Sequence, residues 1–225
     1  MKVSCVCPSG DRPTYLQQAV DCFLSQTYEN SELLIIDDGV VPMPKVMHPR
    51  IRHLYLPRAN PRLITGMKRN VMNALAQGEI IIHWDDDDWS CPTRVAEQVA
   101  FLESSGAEVV GYPDCYFFRE TDRRVWNYHF LGGSMPYAVG TTLCYWRRWW
   151  ADHHFQSKPI GEDTLFAYEA TNANKLACCP NNGRVVARNL STGVAKVNFA
   201  NEEFRPAKWE ELPEGFRQMI GENKT

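Results

Sequence analysis

Residues 80–92, IIIHWDDDDWSCP, place four consecutive aspartates directly after an apolar run and between two tryptophans. Adjacent carboxylates repel one another, so such a run needs either full solvation or a compensating cation. Carboxylate oxygens are the ligands that Mg²⁺ and Mn²⁺ prefer, with water or phosphate oxygens completing the coordination. The run therefore predicts either a divalent-cation site or a solvated acidic turn. It is not a calcium loop, because the D-x-D-x-D-G spacing is absent.

Short apolar runs alternate with helical patterns in the first half of the chain, which is typical of βαβ units on a mainly parallel sheet. The sequence predicts strands at 3–9, 32–39, 51–57, 79–84 and 107–112. In open α/β sheets, ligands bind at the carboxyl ends of the strands, near a topological switch point. Three of these strands end in polar residues, at Pro8–Ser9, Asp37–Asp38 and Asp85–Asp88. The sequence therefore predicts a cluster of carboxylates at one edge of the sheet, held together by a cation.

Helices are expected between the strands, where apolar residues recur at i, i+3, i+4 and i+7. The first begins near Pro13 and has one apolar face, made of Leu16, Ala19, Val20, Phe23 and Leu24. The second is predicted to bury Met67, Val71, Ala74 and Leu75 and to stop at Gly78. The third begins at Pro92 and ends at Gly106.

The composition of the sequence changes after Tyr112, where aromatic residues become more frequent. We divide the chain into a first half, residues 1–112, a mixed second half, residues 113–190, and a polar C-terminal tail, residues 191–225. For this tail, the sequence predicts at most one short helix. Arg147–Trp150, RRWW, is interpreted as a partly buried aromatic cluster with snorkelling arginines rather than a sugar or nucleic-acid site.

The composition of the chain argues against two classes of function, nucleic-acid binding and membrane association. The chain has 225 residues, 24 Lys+Arg against 27 Asp+Glu, and a net charge of −3, so it lacks the basic footprint of a generic nucleic-acid or anionic-membrane binder. No apolar run approaches the roughly 20 residues that span a bilayer, and the N-terminal residues lack the apolar region of a signal peptide. We expect a soluble cytoplasmic protein without integral membrane association.

Cysteine and histidine offer no metal pattern. The eight cysteines do not have zinc-site spacing, and we predict that they are buried free thiols. His153 and His154 are adjacent, and we expect them to be solvated.

Three blocks of sequence resemble, in order, family 2 glycosyltransferases of the GT-A fold. The first is VSCVCPSGDRPTYLQQAVDCFLSQTYENSELLIIDDG, with S-Q-T-Y after a helix and D-D-G after a strand. The second is GMKRNVMNALAQGEIIIHWDDDDWSCPTRV, with an R-N helix, a G-E turn and a D-x-D-D cluster. The third, GTTLCYWRR followed by PIGEDTLF, is similar to the acceptor-side strand and E-D motif. The resemblance covers about residues 1–170.

The resemblance implies an α/β, GT-A-like (Rossmann-related) fold: a mainly parallel sheet flanked by helices, with a mixed acceptor-side half. Residues 1–112 would bind the nucleotide sugar and residues 113–190 the acceptor. The nucleotide-binding residues would be Pro8, Ser9, Asp38, Arg69, Asp85 and Asp86. Asp87 would be the direct ligand of Mn²⁺ or Mg²⁺ with Asp85 beside it, and Asp163 would be the general base with Glu162 as its neighbour.

The function that follows is metal-assisted transfer of a sugar, with inversion, from a nucleotide-sugar donor to an acceptor hydroxyl. A UDP-sugar is the expected donor. A GT-A-like nucleotidyltransferase is the first alternative, disfavoured because CPSGDRP has a single glycine. A non-catalytic nucleotide- or carbohydrate-binding module is the second. The acceptor stays open between a glycan, a lipid-linked sugar, a protein and a modified nucleobase, and neither the sugar nor the oligomeric state is predicted.

Several of these residues have a plainer interpretation. Asp163 could cap the helix that follows it, and Arg69 could be a solvated helix residue. Asp37 is expected to support its turn rather than touch a ligand. Many relatives carry a late histidine that completes the metal shell, but VVARNLSTGV has none, which leaves water or a side chain such as Asn189 for that position.

Overall fold

The computed structural model describes residues 1–57, 63–133, 135–180, 183–190 and 197–221. Its strands are β1 (Val3–Ser9), β2 (Ser31–Asp37), β3 (Ile51–Tyr55), β4 (Ile80–His83), β5 (Trp89–Ser90), β6 (Val109–Gly111), β7 (Asp114–Arg119), β8 (Arg124–His129), β9 (Cys144–Trp146), β10 (Leu176–Cys178), β11 (Val185–Asn189) and β12 (Phe204–Ala207). Its α-helices are α1 (Pro13–Leu24), α2 (Thr65–Leu75), α3 (Arg94–Ser105), α4 (Arg147–Asp152), α5 (Glu162–Asn172) and α6 (Glu214–Ile220).

The strands form two sheets. The seven-stranded sheet has the order β10-β6-β9-β4-β1-β2-β3, and the five-stranded sheet has the order β12-β8-β7-β11-β5. In the larger sheet β1 lies between β2 and β4 and is parallel to both, whereas β9 is antiparallel to β4 and β6. The predicted mainly parallel α/β sheet is therefore confirmed.

The central strands are buried along their whole length, because helices and the smaller sheet cover them. β2 and β4 are buried at every position, which explains their continuous apolar runs. Since β1, β2 and β4 point the same way, their carboxyl ends meet at one edge. Ser9, Asp37 and the residues after His83 lie at this edge, as the sequence predicted.

The first and third helices confirm the periodicity argument. Helix α1 begins at Pro13 and buries Leu16, Ala19, Val20 and Phe23. Helix α3 begins at Arg94, two residues after the predicted Pro92, and ends at Gly106, whose φ of 69° is the left-handed conformation that glycine accepts without strain.

The predicted face of α2 was wrong. Met67, Val71 and Leu75 are exposed to 42%, 37% and 40%. The buried face is instead mostly polar and consists of Gly66, Lys68, Arg69, Met72 and Asn73. Polar side chains point inward here because they bond to carboxylates and a tyrosine in the interior, so hydrophobic periodicity gave the wrong face.

The C-terminal end of α2 also differs from the prediction. Helix α2 ends at Leu75 rather than at Gly78. Gly78 is instead required by close packing, because a Cβ there would lie 2.5 Å from the backbone nitrogen of Ser4.

Residues 113–190 contribute to both sheets, since β9 and β10 join the larger sheet while β7, β8 and β11 lie in the smaller one. The boundary at residue 112 stays a prediction. The tail carries more structure than expected, because β12 pairs with β8 and Phe216 of α6 is fully buried. Phe216 packs against Trp89 and Phe118.

The minor predictions about thiols and aromatic residues agree with the structure. All eight cysteines are free, and all but the half-buried Cys178 are buried. In RRWW, Trp149 is buried while Arg148 reaches out to Glu108. His154 is exposed, but His153 is half-buried and stacks on Trp149.

Within the described ranges, no helix combines the length and apolarity that crossing a bilayer requires. The cytoplasmic location stays a prediction.

A buried histidine closes strand β4. His83 is fully buried, and its Nδ1 lies 2.7 Å from the carbonyl oxygen of Gly140. A carbonyl only accepts, so Nδ1 carries the hydrogen. Burial lowers the pKa of His83 well below its usual range, and Arg69 adds to the shift. The folded protein therefore holds this side chain neutral.

We predict that His83 makes the protein less stable at acidic pH. The unfolded histidine takes up a proton below about pH 6.5 and the folded one does not, so the free energy of unfolding falls as the pH drops from 7 to 5, by up to ~1.4 kcal/mol per pH unit. Urea unfolding of His83→Asn, which keeps a donor for Gly140 but does not titrate, should show a shallower fall. The exposed His154→Asn is the control, and equal slopes for wild type and His83→Asn would contradict the prediction.

Candidate active site

A cleft of about 670 Å³ opens at the carboxyl edge of β1 and β4. This volume lies within the range of pockets for ligands the size of a nucleotide sugar. Its polar wall holds most of the residues that the sequence singled out: Pro8, Ser9, Arg69, Asp85, Asp86, Asp87, Glu162 and Asp163. The cleft also has an aromatic wall from the smaller sheet and from the segment between β8 and β9: Phe117, Tyr128, Tyr137 and Phe204.

Asp38 is the one predicted site residue that does not line the cleft. It is buried, and its Oδ1 lies 2.7 Å from Nζ of Lys68, which does line the cleft. The same ammonium donates to the carbonyl oxygen of Ser9, at 3.2 Å. Lys68 thus ties the ends of β1 and β2 together. Its role was not foreseen, although it stands beside Arg69 in the sequence.

The turn after β2 depends on Asp37. Its two carboxylate oxygens accept the backbone N–H groups of Gly39 and Met43, at 2.9 and 2.7 Å. The side chain is fully buried and outside the cleft lining. The interpretation of Asp37 as support for the turn is confirmed.

Arg12 bridges two of the four consecutive aspartates. Its Nη2 lies 2.8 Å from Oδ1 of Asp86, and its Nη1 donates to Oδ2 of Asp87 at 2.7 Å. The hydroxyl of Ser9 donates to the other oxygen of Asp86, at 2.6 Å. Oδ1 of Asp86 is close to Arg12 without good hydrogen-bond geometry, so this buried oxygen is compensated by charge alone. Sequence reasoning missed Arg12, although a basic residue directly after β1 must lie at this edge.

Burial leaves these carboxylates only partly compensated. Burial, opposed by Arg12 and assisted by Asp87, raises the pKa of Asp86 to about 7. Burial also raises the pKa of Asp87, again against Arg12. A further cation at this edge would therefore be bound favourably.

Asp88 lines the same cleft and also supports the loop. Its carboxylate accepts the hydroxyl of Thr141 at 2.5 Å and the backbone N–H of Arg188 at 2.9 Å. Burial, with Asp87 adding to it, raises the pKa of Asp88 well above its usual range. The fourth aspartate thus joins the acid run to β11.

Arg69 connects the acid run to the start of α5. Its Nη2 lies 3.2 Å from Oδ1 of Asp85, and its Nε donates to Oε1 of Glu162 at 3.1 Å. Arg69 is only 3% exposed, so it is not the solvated helix residue of the plainer interpretation. Its Nη1 is buried without a hydrogen-bond partner in the part of the chain that the structure describes. Burial raises the pKa of Glu162, although Arg69 opposes the shift.

Asp163 lies in the first turn of α5, where its Oδ1 accepts the backbone N–H of Thr164 at 2.7 Å. It therefore satisfies a backbone N–H in the first turn, although the N-cap position itself belongs to Gly161, and it also lines the cleft. Its role as general base stays a prediction. Its other oxygen lies against Gly140, since a Cβ on that glycine would be 1.7 Å from Oδ2. The carbonyl oxygen of Gly140 in turn accepts from His83.

In the stretch compared with the relatives' late histidine, VVARNLSTGV, this chain has Arg188 and Asn189, which both line the cleft. Arg188 is held by Gln18 and Glu120 and lies over the ring of Tyr15. The predicted role of Asn189 stays a prediction, and residues 191–194 of VVARNLSTGV lie outside the described ranges.

The donor atoms at this edge suit a hard divalent cation. Asp85 and Asp87 offer carboxylate oxygens from side chains that are 27% and 16% exposed in the cleft. Over the described ranges, no three acidic, histidine or cysteine side chains form a ready-made metal site. Mg²⁺ and Mn²⁺ fit such an arrangement, because protein sites commonly supply one or two carboxylates and leave the remaining positions to phosphate and water. Asp85 and Asp87 are thus the residues that would hold the ion.

Comparison with known proteins agrees with this geometry. The sequence model of Glycosyl transferase family 2 matches residues 4–167. Over 96 residues the chain is 35% identical to EpsE of Bacillus subtilis (strain 168), whose glycosyltransferase name is provisional; the match covers 39% of this chain and 34% of EpsE. An uncharacterized glycosyltransferase of Rickettsia felis is covered to 24%. The chain therefore spans about a third or less of the length of these curated relatives.

Solved structures share the fold. S. aureus TarS, residues 1–349 in complex with UDP-GlcNAc, has a TM-score of 0.68 at 17% identity, covering 88% of this chain and 62% of that one. The mannosyltransferase PcManGT from Pyrobaculum calidifontis, in complex with GDP-Man and Mn²⁺, has a TM-score of 0.62 at 13% identity, covering 84% and 56%. The expected GT-A-like fold is confirmed.

We predict that Gly140→Ala is destabilising because its methyl group collides with Asp163. A double-mutant cycle with Asp163→Ala tests this cause, since alanine lacks both Oδ2 and Cγ, which would lie 1.7 and 2.3 Å from the new Cβ. The loss in free energy of unfolding for the double variant should be smaller than the sum of the single losses by about 1–2 kcal/mol. Chemical denaturation of the four proteins measures the coupling, and additive losses would show that the two residues are independent.

Proposed function

The chain belongs to glycosyl transferase family 2, and from that premise we propose that it transfers a sugar from a nucleotide-sugar donor to an acceptor hydroxyl. The observation that carries the proposal is the shared cleft of Asp85–Asp87 and Asp163, joined through Arg69 and Glu162. One group of acids is suited to a donor and its cation, and the other is suited to proton abstraction. Both face the same 670 Å³ space.

The donor half of the cleft would hold the nucleotide. Pro8 and Ser9 would contact the base, and Asp38, which lies outside the cleft, would act by holding the ammonium of Lys68 at 2.7 Å. Arg69 lies between Asp85 and Glu162 and is placed to attract the diphosphate. TarS, which binds UDP-GlcNAc, supports a UDP-sugar as the donor. PcManGT binds GDP-Man, so guanine is a second base to be tested.

Asp163 would act as the general base. Its Oδ1 is held by the backbone of Thr164, so the carboxylate is fixed in place and Oδ2 can take the proton of the acceptor hydroxyl. Attack on the anomeric carbon from the side opposite the diphosphate inverts its configuration. When bound at Asp85 and Asp87, Mn²⁺ or Mg²⁺ supplies the positive charge that stabilises the leaving diphosphate. Glu162 orients Arg69 through its 3.1 Å bond.

The two alternatives are weaker. A non-catalytic module would not need a further carboxylate fixed in the same cleft as the acid run. A nucleotidyltransferase would need a phosphate-binding loop after β1, and there Arg12 turns towards Asp86 and Asp87. The aromatic wall gives an acceptor an apolar surface but does not identify it.

We predict that one nucleoside diphosphate binds with the help of Mn²⁺ and that Asp87→Asn loses this help. Calorimetric titration with UDP, GDP and CDP, each with Mn²⁺ and with chelator, identifies the base. Asp152→Asn, an exposed substitution on α4, is the control. Equal affinity of wild type and Asp87→Asn with Mn²⁺ would contradict the metal role, and the absence of any nucleotide binding would contradict the donor site.

We predict that Asp163→Asn loses catalysis but keeps the donor. The amide cannot take a proton, so release of nucleoside diphosphate from the nucleotide sugar should slow by roughly 10²–10⁴-fold. The Kd for the nucleotide should change little, because Asp163 lies outside the donor half. Glu169→Gln, two turns further along α5, should behave as wild type. A variant that turns over normally would exclude Asp163 as the base.

A further inference from the structure

The acid run already carries a cation that belongs to the chain. Nη1 of Arg12 lies 2.7 Å from Oδ2 of Asp87, the residue proposed to hold the metal, and Nη2 lies 2.8 Å from Asp86. A divalent cation bound to Asp87 would be within a few ångströms of this guanidinium. Like charges at that separation repel strongly in a partly buried site. The ion and the guanidinium therefore compete for the same carboxylate.

Of the two arginines whose guanidinium groups pair with the acid run in the described residues, Arg12 is the more exposed. Its side chain is 21% exposed, whereas that of Arg69 is 4% exposed and is held at both ends, by Asp85 and by Glu162.

The guanidinium of Arg12 pairs with two adjacent residues of one loop, Asp86 and Asp87. Its backbone is fixed at the N-cap of α1, where the carbonyl oxygen of Arg12 accepts the N–H of Leu16 at 3.0 Å. A movement of Arg12 would therefore involve its side chain alone.

A second cavity, which we call the hollow, gives the side chain of Arg12 space to move into. It has a volume of about 330 Å³ and is lined by Asp11, Arg12, Pro13, Thr14, Tyr15, Glu120 and Leu190. Glu120 and Tyr15 already contact the guanidinium of Arg188, so the hollow offers Arg12 space rather than an unused partner. The cleft and this hollow share Arg12 and Leu190, so the side chain needs only rotamer changes to pass from one to the other.

We propose that Arg12 is a placeholder cation: it holds Asp86 and Asp87 together before the metal arrives and moves into the neighbouring hollow when a divalent cation binds Asp87. This inference rests on the proposed metal role of Asp87. The ion must then displace an internal competitor, so the wild-type chain binds the free ion weakly.

The test is Mn²⁺ binding to the metal-stripped full chain without nucleotide, measured by the paramagnetic resonance signal of free Mn²⁺. Arg12→Gln removes the competing charge and should bind Mn²⁺ about tenfold more tightly than wild type, which corresponds to ~1.4 kcal/mol. Arg12→Lys keeps the charge and should stay close to wild type. Arg148→Gln, an exposed arginine paired with Glu108, is the control for a general change of charge.

Thermal unfolding provides a second readout that does not depend on a titratable signal. Without metal, Arg12→Gln should have a lower Tm than wild type, because two buried carboxylates lose their counter-charge. Saturating Mn²⁺ should remove most of this difference. A variant that binds Mn²⁺ no more tightly than wild type, or whose Tm deficit persists with Mn²⁺, would overturn the inference.

The outcome is separable from the proposed function. If neither wild type nor Arg12→Gln binds Mn²⁺ while a nucleotide still binds, Arg12 is a permanent counter-ion and the placeholder role is wrong, but the donor site stands. If no nucleotide binds while Arg12→Gln still gains Mn²⁺ affinity, the placeholder role stands and the donor site is wrong.

Discussion

Compensation of buried negative charge is the constraint on which the rest of this structure depends. The parallel arrangement of β1, β2 and β4 brings their carboxyl ends together, and with them carboxylates that would repel one another out of water. The chain answers with one cation for each group: Lys68 for Asp38, Arg69 for Asp85 and Glu162, and Arg12 for Asp86 and Asp87.

The compensating residues also carry the architecture of the cleft. Because Arg69 bonds to Asp85 on one side and Glu162 on the other, the acid run and the start of α5 are held together by ion pairs. Asp163, the next residue along α5, is positioned by the same contact and by the bare backbone of Gly140. A change in the charge of Asp85 therefore also alters the electrostatic environment at the start of α5.

The sequence predicted the strand ends well and the inward-facing polar residues poorly. Apolar runs and the strand-end rule located Ser9, Asp85, Asp86 and Asp87 at one edge, and proline and glycine marked the ends of α1 and α3 to within two residues. The face of α2 was wrong because hydrophobic periodicity assumes that helices bury apolar residues, whereas this helix buries Lys68 and Arg69 in ion pairs. Those pairs, and that of Arg12, join residues far apart in the chain, so no local pattern reveals them.

The position of β9 between β4 and β6 limits how this protein can be divided into fragments. β9 comes from the second half of the chain, yet it lies between β4 and β6 and is the strand that joins them in the larger sheet. A fragment that ends at residue 112 would expose an unpaired edge on both strands and leave β6 detached from the sheet. The first and second halves of the chain, residues 1–112 and 113–190, are thus interleaved in one sheet, and a chimera made by exchanging one half for that of a relative must also rebuild the pairing in its centre.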